Sequence, residues 1–221
     1  GAFMRKRLLF AGAFLICVVA AGAFDLQPAA IPPDVIQAAV TQTEAPLEEA
    51  WSLPVAATYR PSFTYQSSAS RCGPASLANV FRSLGYGPQS ESGALGDTGY
   101  CWTGYCIIGL TLDELAEVAR ANAKSVEVMR DLTLEQFREE MRHANDPSRR
   151  YVVNFTRKEI FGAGAGHHSP IGGYLDAADM VFVLDVNENI KPWLVETNRL
   201  FAAMDTVDSD GGRKRGLLRI Q

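Results

Sequence analysis

One cysteine in this chain has a sequence context that suits nucleophilic catalysis. Cys72 lies in QSSASRCGPASLANVFRSLG, directly before an apolar run of helical period. A cysteine attacks as its thiolate, and the N-terminus of a helix favours such an anion. The reaction also needs a base within hydrogen-bonding distance and a third group that orients the base. Cys72 is therefore the candidate nucleophile, with a buried structural thiol as the simpler alternative.

The candidate bases follow a glycine-rich stretch, FGAGAG. His167 and His168 stand side by side there, and the residues alone do not decide which of them faces the cysteine. Asp185 is an isolated charge in the apolar segment FVLDV. Because a buried carboxylate is costly unless it is paired, we expect Asp185 to orient one of these imidazoles.

An acyl-transfer site also needs hydrogen-bond donors for the oxyanion that develops. The backbone N–H of Cys72 is one candidate donor, and the side-chain amide of Gln66, six residues earlier, is the other. Gly73 would let a substrate carbonyl approach the backbone. This glutamine-to-cysteine spacing resembles that of papain-like cysteine hydrolases.

Two further cysteines, Cys101 and Cys106, lie in the segment CWTGYC. They are close enough in sequence to form a disulfide across a glycine-containing turn, which would leave Cys72 as a free thiol. They could instead bind a metal, but their spacing is wider than the usual C-x2–4-C and no histidine is near in sequence. The disulfide is a hypothesis, and we expect no metal site in the protein.

Hydrophobic periodicity predicts the elements that must position these groups. Helices are predicted over 72–84, 112–122, 134–144 and 198–204, and strands over 151–155, 170–175, 180–186, 192–196 and 215–220. Thr111 with Glu114, and Thr133 with Gln136, form capping boxes, and Thr197 is a third cap candidate. Since helices come first and strands later, the expected fold class is α+β with an antiparallel sheet.

The N-terminal segment is typical of a secretory signal peptide. A basic run at 5–7 precedes an apolar stretch at 8–20, which is short for a membrane span, and Ala-Gly-Ala follows at 21–23. We predict a signal peptide over 1–23, with 1–3 as an extension before Met4. The predicted location is periplasmic or secreted, and an N-terminal membrane anchor is the alternative.

The remaining chain is predicted to hold one domain. Residues 24–57, rich in Pro and Ala, are predicted to be an extended arm with one short helix near 33–41, and residues 58–221 to be the catalytic domain. The 221 residues are 47% hydrophobic and carry a net charge of -4, which suits one globular domain. Charges of both signs are mixed along the chain, which argues against a nucleic-acid partner.

Several segments together resemble phytochelatin synthase, the glutathione γ-glutamylcysteinyltransferase family, and most closely its short single-domain prokaryotic forms. The matching segments occur in the family's order: YQSSASRCGPASLANVFRSLG, GLTLDELAEVA, YVVNFTRKEIFGAGAGHHSPIGGY, FVLDVNENIKPWLVETNRLFAAMDTVDSD and RGLLRI. The resemblance implies a papain-like cysteine protease fold, in which an N-terminal helical half is followed by an antiparallel β-sheet half.

The resemblance also implies a role for each site residue. Cys72 would be the nucleophile, His167 the catalytic histidine, Asp185 its orienting acid and Gln66 the oxyanion donor. His168 departs from the family, which usually has an aromatic or aliphatic residue there. The residues expected to contact substrate are Arg157, Arg215, Gly73 and Gly166.

The activity implied by the resemblance is acyl transfer on glutathione. Cleavage of the Cys–Gly bond would release glycine, and water or a second glutathione would resolve the thioester. Since the chain stops at Gln221 without the Cys-rich C-terminal region of plant members, we expect mainly hydrolysis.

The partners implied by the resemblance are glutathione and its complexes with Cd²⁺ or Zn²⁺. No tightly bound cofactor is expected, and a homodimer is a further possibility. The alternatives are a peptidase of the bacteriocin-leader-processing type and a non-catalytic periplasmic module that binds thiols or metals.

Overall fold

A computed structural model of the chain describes residues 30–100 and 109–221. Ile31–Gln221 form one compact unit. The predicted signal peptide over 1–23 and the predicted disulfide between Cys101 and Cys106 lie outside the described residues. Within the described ranges, none of the helices has the length and apolar character needed to cross a membrane.

The described part of the chain contains a six-stranded antiparallel sheet in the order β1-β6-β2-β3-β4-β5. The strands are β1 (Val126–Met129), β2 (Arg150–Thr156), β3 (Gly166–Leu175), β4 (Met180–Val183), β5 (Trp193–Glu196) and β6 (Leu217–Ile220). In the central pair, His167 of β3 lies opposite Phe155 of β2, and His168 lies opposite Asn154. Neighbouring strand residues point to opposite faces, so the two histidines leave the strand in different directions.

The helices of the described residues precede the sheet or connect its strands. They are α1 (Pro33–Ala39), α2 (Glu44–Trp51), α3 (Ala56–Tyr59), α4 (Cys72–Leu84), α5 (Glu91–Leu95), α6 (Leu112–Arg120), α7 (Leu134–His143), α8 (Arg157–Phe161) and α9 (Thr197–Met204). Helix α4 has the predicted ends, and Gly85 closes it in the left-handed conformation with φ 73°. Both predicted capping boxes, on α6 and α7, are confirmed.

The sheet has an apolar core on each face. Val152 belongs to the core formed with Leu77 and Phe81 of α4, whereas Val153 belongs to the opposite core, with Trp193. Period-2 alternation within β2 thus supplies both cores, and helices cover both faces. The predicted α+β architecture is confirmed, with α4 lying on the first of these faces.

The structure corrects the prediction of an extended arm over 24–57. The helix predicted near 33–41 is confirmed as α1, but α2 and α3 follow it, and Ala50 and Val55 are fully buried. Thr41 exchanges backbone hydrogen bonds of 2.9 and 3.0 Å with Leu194 at the edge of β5. Such short helices bury only one or two side chains each, so their hydrophobic period is too weak to read from sequence.

Two smaller features also differ from the sequence prediction. Thr197 does not cap α9 but begins it, and its hydroxyl donates to the Asp179 carbonyl at 3.0 Å. The sequence analysis does not predict strand β1, because four residues are too few to show a clear alternation of apolar and polar side chains. In the structure β1 is an edge strand that pairs with β6.

Candidate active site

Cys72 is the first residue of α4 and is 5% exposed. Its side chain packs with Ala75 and Val186 in a small apolar cluster. The Ser76 hydroxyl lies 2.7 Å from the Cys72 carbonyl oxygen and 3.1 Å from that of His168, which ties the first turn of α4 to β3. The helix N-terminus therefore presents the thiol to the start of β3, where it favours the thiolate.

Gly73 has a packing reason as well as the predicted substrate role. A Cβ at this position would lie 3.0 Å from a methyl carbon of Leu115 on α6. The missing side chain therefore lets α4 and α6 approach closely, while contact with substrate stays a prediction.

Both histidines of the pair are buried, and they have different partners. His168 Nδ1 lies 3.8 Å from Cys72 Sγ, and the ring is 3% exposed. His167, which is 2% exposed, places Nε2 at 3.0 Å from Asp185 Oδ1. The distance is that of an ion pair with a protonated His167, but the angle at the ring nitrogen is not that of a hydrogen bond. The structure thus brings together all the groups proposed for nucleophile, base and orienting acid.

Asp185 is fully buried and has several donors around its carboxylate. Arg157 Nη2 lies 2.7 Å from one oxygen and 3.0 Å from the other, the Asn187 backbone N–H donates at 2.9 Å, and Trp193 Nε1 donates at 3.2 Å. Burial alone would raise the pKa of Asp185, but the charges of Arg157 and His167 hold it well below its usual value. Asp185 is therefore an ionised acid at neutral pH.

The charges in the site favour a thiolate paired with an imidazolium. Burial alone would raise the pKa of the Cys72 thiol, but the imidazoles of His167 and then His168 hold it well below its ordinary value. For His167, burial and the Arg157 charge lower the pKa, yet the charges of Asp185 and Cys72 outweigh them and leave it raised. A pair with these opposite shifts is the arrangement that an activated cysteine needs.

The backbone of Gln66 is hydrogen-bonded to a residue that packs with the nucleophile. Its backbone N–H donates to the Val186 carbonyl at 2.7 Å, and Val186 packs with Cys72. Its side-chain Nε2 donates to the Ser68 carbonyl at 2.8 Å. Since an amide nitrogen carries two hydrogens, one remains to serve an oxyanion.

The loop between Gln66 and Cys72 is fixed by a residue that the sequence reasoning missed. Glu91, at the start of α5, accepts from the Ser67 backbone N–H at 2.8 Å and from the Ser67 hydroxyl at 2.5 Å. Its carboxylate also accepts from Arg71 Nη1 at 3.2 Å. No local pattern marks this role, because the partners stand 20 and 24 residues away.

The other candidate substrate residues have protein partners of their own. Arg157 contacts Asp185, as described above. Arg215 is 7% exposed, and its Nη1 donates to Thr206 Oγ1 at 3.1 Å and to the Val207 carbonyl at 2.7 Å. A Cβ on Gly166 would lie 2.9 Å from Arg215 Nη2, so the glycine makes room for the guanidinium. Substrate contacts by these residues stay predictions.

The side chains of the site are not arranged as a metal centre within the described residues. In the described ranges, no three His, Cys, Asp or Glu side chains are grouped so that they could hold a metal ion. Instead, His168 contacts the Cys72 thiol, and Asp185 contacts both His167 and Arg157.

A comparison with protein-family models matches residues 104–217, slightly more than half of the chain, to the family described as phytochelatin synthase. The matched range contains His167 and Asp185, and it begins after Cys72.

The chain is also similar to curated proteins described as glutathione gamma-glutamylcysteinyltransferases. Glutathione gamma-glutamylcysteinyltransferase 3 of Lotus japonicus is 35% identical over 116 residues, which are 51% of this chain and 24% of the relative. Glutathione gamma-glutamylcysteinyltransferase 2 of Arabidopsis thaliana is 28% identical over 174 residues, which are 72% of this chain and 38% of the relative. The chain thus spans well under half the length of these relatives.

Solved structures with some similarity include peptidase domains of Streptococcus ComA, described as a bi-functional ABC transporter involved in a quorum sensing pathway. One has a TM-score of 0.48 at 15% identity, covering 71% of this chain and 93% of that domain. The Streptococcus mutans domain has a TM-score of 0.38 at 17% identity, covering 71% of this chain and 95% of that domain.

Proposed function

The chain belongs to the phytochelatin synthase family, and we propose that it catalyses acyl transfer from glutathione through a thioester on Cys72. The observation that carries this proposal is the buried arrangement at the start of α4. There the Cys72 sulfur lies 3.8 Å from His168 Nδ1, and the neighbouring His167 lies 3.0 Å from the ionised Asp185. The lowered thiol pKa and the raised His167 pKa support the same assignment.

The first half-reaction forms the thioester. The Cys72 thiolate attacks the carbonyl carbon of the Cys–Gly peptide bond, and the developing oxyanion accepts hydrogen bonds from the Cys72 backbone N–H and the Gln66 amide. The carbon–nitrogen bond then breaks as the His167 imidazolium donates its proton to the leaving glycine amine. Glycine departs, and the γ-glutamylcysteinyl group stays on the sulfur.

The second half-reaction releases this group. Neutral His167 takes a proton from water or from the α-amine of a second glutathione, which attacks the thioester carbonyl. The carbon–sulfur bond breaks and the electron pair returns to Cys72 as the thiolate. Water gives γ-glutamylcysteine, and glutathione gives a longer metal-chelating peptide.

Metals enter this proposal as part of the substrate. Cd²⁺ or Zn²⁺ would arrive as a complex with the glutathione thiolate, and no tightly bound cofactor takes part in either half-reaction. A periplasmic or secreted location and a homodimer complete the proposal, and both rest on the sequence predictions alone.

Incubating the full chain with glutathione, with and without Cd²⁺ or Zn²⁺, tests the proposed function. Chromatography would resolve glycine, γ-glutamylcysteine and longer products, and Cys72→Ser would serve as the inactive variant. We expect glycine release that Cys72→Ser abolishes. Absence of glycine release contradicts both half-reactions, and turnover by Cys72→Ser contradicts the thioester mechanism. Cleavage of a Gly-Gly leader peptide instead would favour the peptidase alternative.

A further inference from the structure

The His168 imidazole contacts the reacting sulfur but has no part in the reaction described above. Its Nδ1 lies 3.8 Å from Cys72 Sγ, within the distance of a hydrogen bond to sulfur. The ring is 3% exposed, and Ser76 fixes the backbone carbonyl of the same residue. A buried polar ring held against a nucleophile calls for a chemical account.

The other ring nitrogen of His168 shows which form of the ring fits the site. In the described part of the chain, Nε2 is buried and has no hydrogen-bond partner. A ring protonated on both nitrogens would leave a buried N–H without an acceptor, which is costly. A neutral ring with its hydrogen on Nδ1 leaves only a lone pair unpaired, and it can donate to the sulfur.

We propose that His168 is a second catalytic histidine, which donates a hydrogen bond from Nδ1 to the Cys72 thiolate without giving up its proton. This inference rests on the proposed role of Cys72 as the nucleophile. His167 then gives a proton to the leaving glycine amine and takes one from the attacking water or amine. His168 stabilises only the charge on sulfur. Both rings lower the pKa of the Cys72 thiol.

The two half-reactions use such a hydrogen bond differently. In the first, charge leaves the sulfur as the carbon–sulfur bond forms, so the bond from His168 weakens. In the second, the carbon–sulfur bond breaks and the charge returns to the sulfur, so the bond forms again. Because a thiol of lower pKa is the better leaving group and the weaker nucleophile, His168 would mainly accelerate breakdown of the thioester.

Charged groups near His168 come from several elements. Cys72 faces it from α4, His167 precedes it on β3, and Asp185 follows β4 with its partner Arg157 from α8. Asn154, opposite it on β2, is uncharged but donates to Asp208 Oδ2 at 3.3 Å, and Asp208 lies 3.6 Å from Arg215. A change in the thiol titration on replacing His168 therefore reports on this ring, provided that the neighbouring charges stay in place.

Alkylation of Cys72 by iodoacetamide across a range of pH tests the inference. Peptide mass spectrometry measures modification at Cys72 alone in the full chain. His168→Phe removes the donor and keeps a ring, whereas His168→Asn keeps an N–H near the position of Nδ1. His143→Asn is the matched control, because His143 is 41% exposed on α7.

We expect His168→Phe to raise the pH midpoint of alkylation by about one unit, since a hydrogen bond to a charged group stabilises it by about tenfold or more. His168→Asn should recover part of the shift, and His143→Asn should match the unchanged protein. An unshifted midpoint in folded His168→Phe overturns the inference.

A measurement on the unchanged protein keeps the inference testable if His168→Phe does not fold. Nitrogen-15 NMR of labelled histidines should show one neutral buried ring with its hydrogen on Nδ1, whose signal moves when Cys72 is alkylated. A hydrogen on Nε2 of that ring overturns the inference. Neither readout uses glutathione, so glycine release without these signatures contradicts the role of His168 alone, and absence of glycine release contradicts the proposed function.

Discussion

Arg157 places one nitrogen, Nη2, 2.7 and 3.0 Å from the two carboxylate oxygens of Asp185. The same carboxylate lies 3.0 Å from His167 Nε2 and is fully buried. In the proposed cycle His167 alternates between charged and neutral forms, so it cannot balance the Asp185 charge throughout. Arg157 provides a permanent cation, which keeps Asp185 ionised in both halves of the reaction.

The contribution of Arg157 to stability can be measured by replacing it with leucine. Arg157→Leu leaves a buried carboxylate without its cation, and we expect the free energy of unfolding to fall by about 3 kcal/mol or more. Urea unfolding followed by circular dichroism gives this value. Arg60→Leu is the control: the Arg60–Glu48 pair is about half exposed, and its loss should cost under about 1 kcal/mol. Equal losses in the two variants would contradict the role of Arg157.

The same variant should change how stability depends on pH. The pKa of Asp185 is depressed in the folded protein, so its contribution is present above the unfolded pKa and is lost as the pH falls through the folded pKa. Without Arg157 the folded pKa rises toward the unfolded value, so less stability is lost between these two pKa values as the pH falls. Urea midpoints of Arg157→Leu and the unchanged protein should therefore converge as the pH falls through the acidic range. Parallel curves with a constant offset would refute this explanation.

Gln66→Ala should separate oxyanion stabilisation from thiol activation. We expect the rate constant for glycine release to fall by about 100- to 1000-fold, as it does when one oxyanion donor is removed. Alkylation of Cys72 should keep its pH midpoint, because the imidazoles of His167 and His168 lower the thiol pKa. Gln89→Ala, at an exposed position, is the control. A shifted alkylation midpoint in Gln66→Ala would show that Gln66 acts on the thiol itself.

Glu91 should matter for the rate although it lies outside the reacting groups. Its bonds to Ser67 and Arg71 fix the loop that carries Gln66, and a displacement of about 1 Å in a site can lower the rate by about 100-fold. We expect kcat to fall more in Glu91→Ala than in Glu91→Gln, with KM changing less. Glu117→Ala, on the exposed side of α6, serves as the control. Unchanged kcat in Glu91→Ala would contradict this positioning role.

Local sequence determined the first half of the site. The apolar period over 72–84 and the glycine after it fix α4, so the position of Cys72 at a helix start follows from neighbouring residues. Gln66 is close to Cys72 in sequence, and its role as an oxyanion donor stays a prediction. The capping boxes of α6 and α7 are likewise determined by residues three apart.

The second half of the site depends on strand register, which local sequence does not contain. Adjacent residues of β3 point to opposite faces, and its pairing with β4 shifts between Ile171 and Gly173. Counting residues therefore cannot decide which histidine reaches Asp185 and which reaches the sulfur. In the structure, His167 contacts Asp185 and His168 contacts the sulfur of Cys72.

The sequence by itself determined the candidate site residues and the helix at whose start the cysteine lies, because residue type and helical period are local properties. Only the tertiary structure decided the partner of each buried group. Arg157 meets Asp185 across 28 residues, Glu91 meets Ser67 across 24, and His168 meets Cys72 across 96. Burying a charged or polar group without a partner costs free energy, so such groups are paired in the folded protein. Their partners are far apart in sequence and come close only when the whole chain has folded.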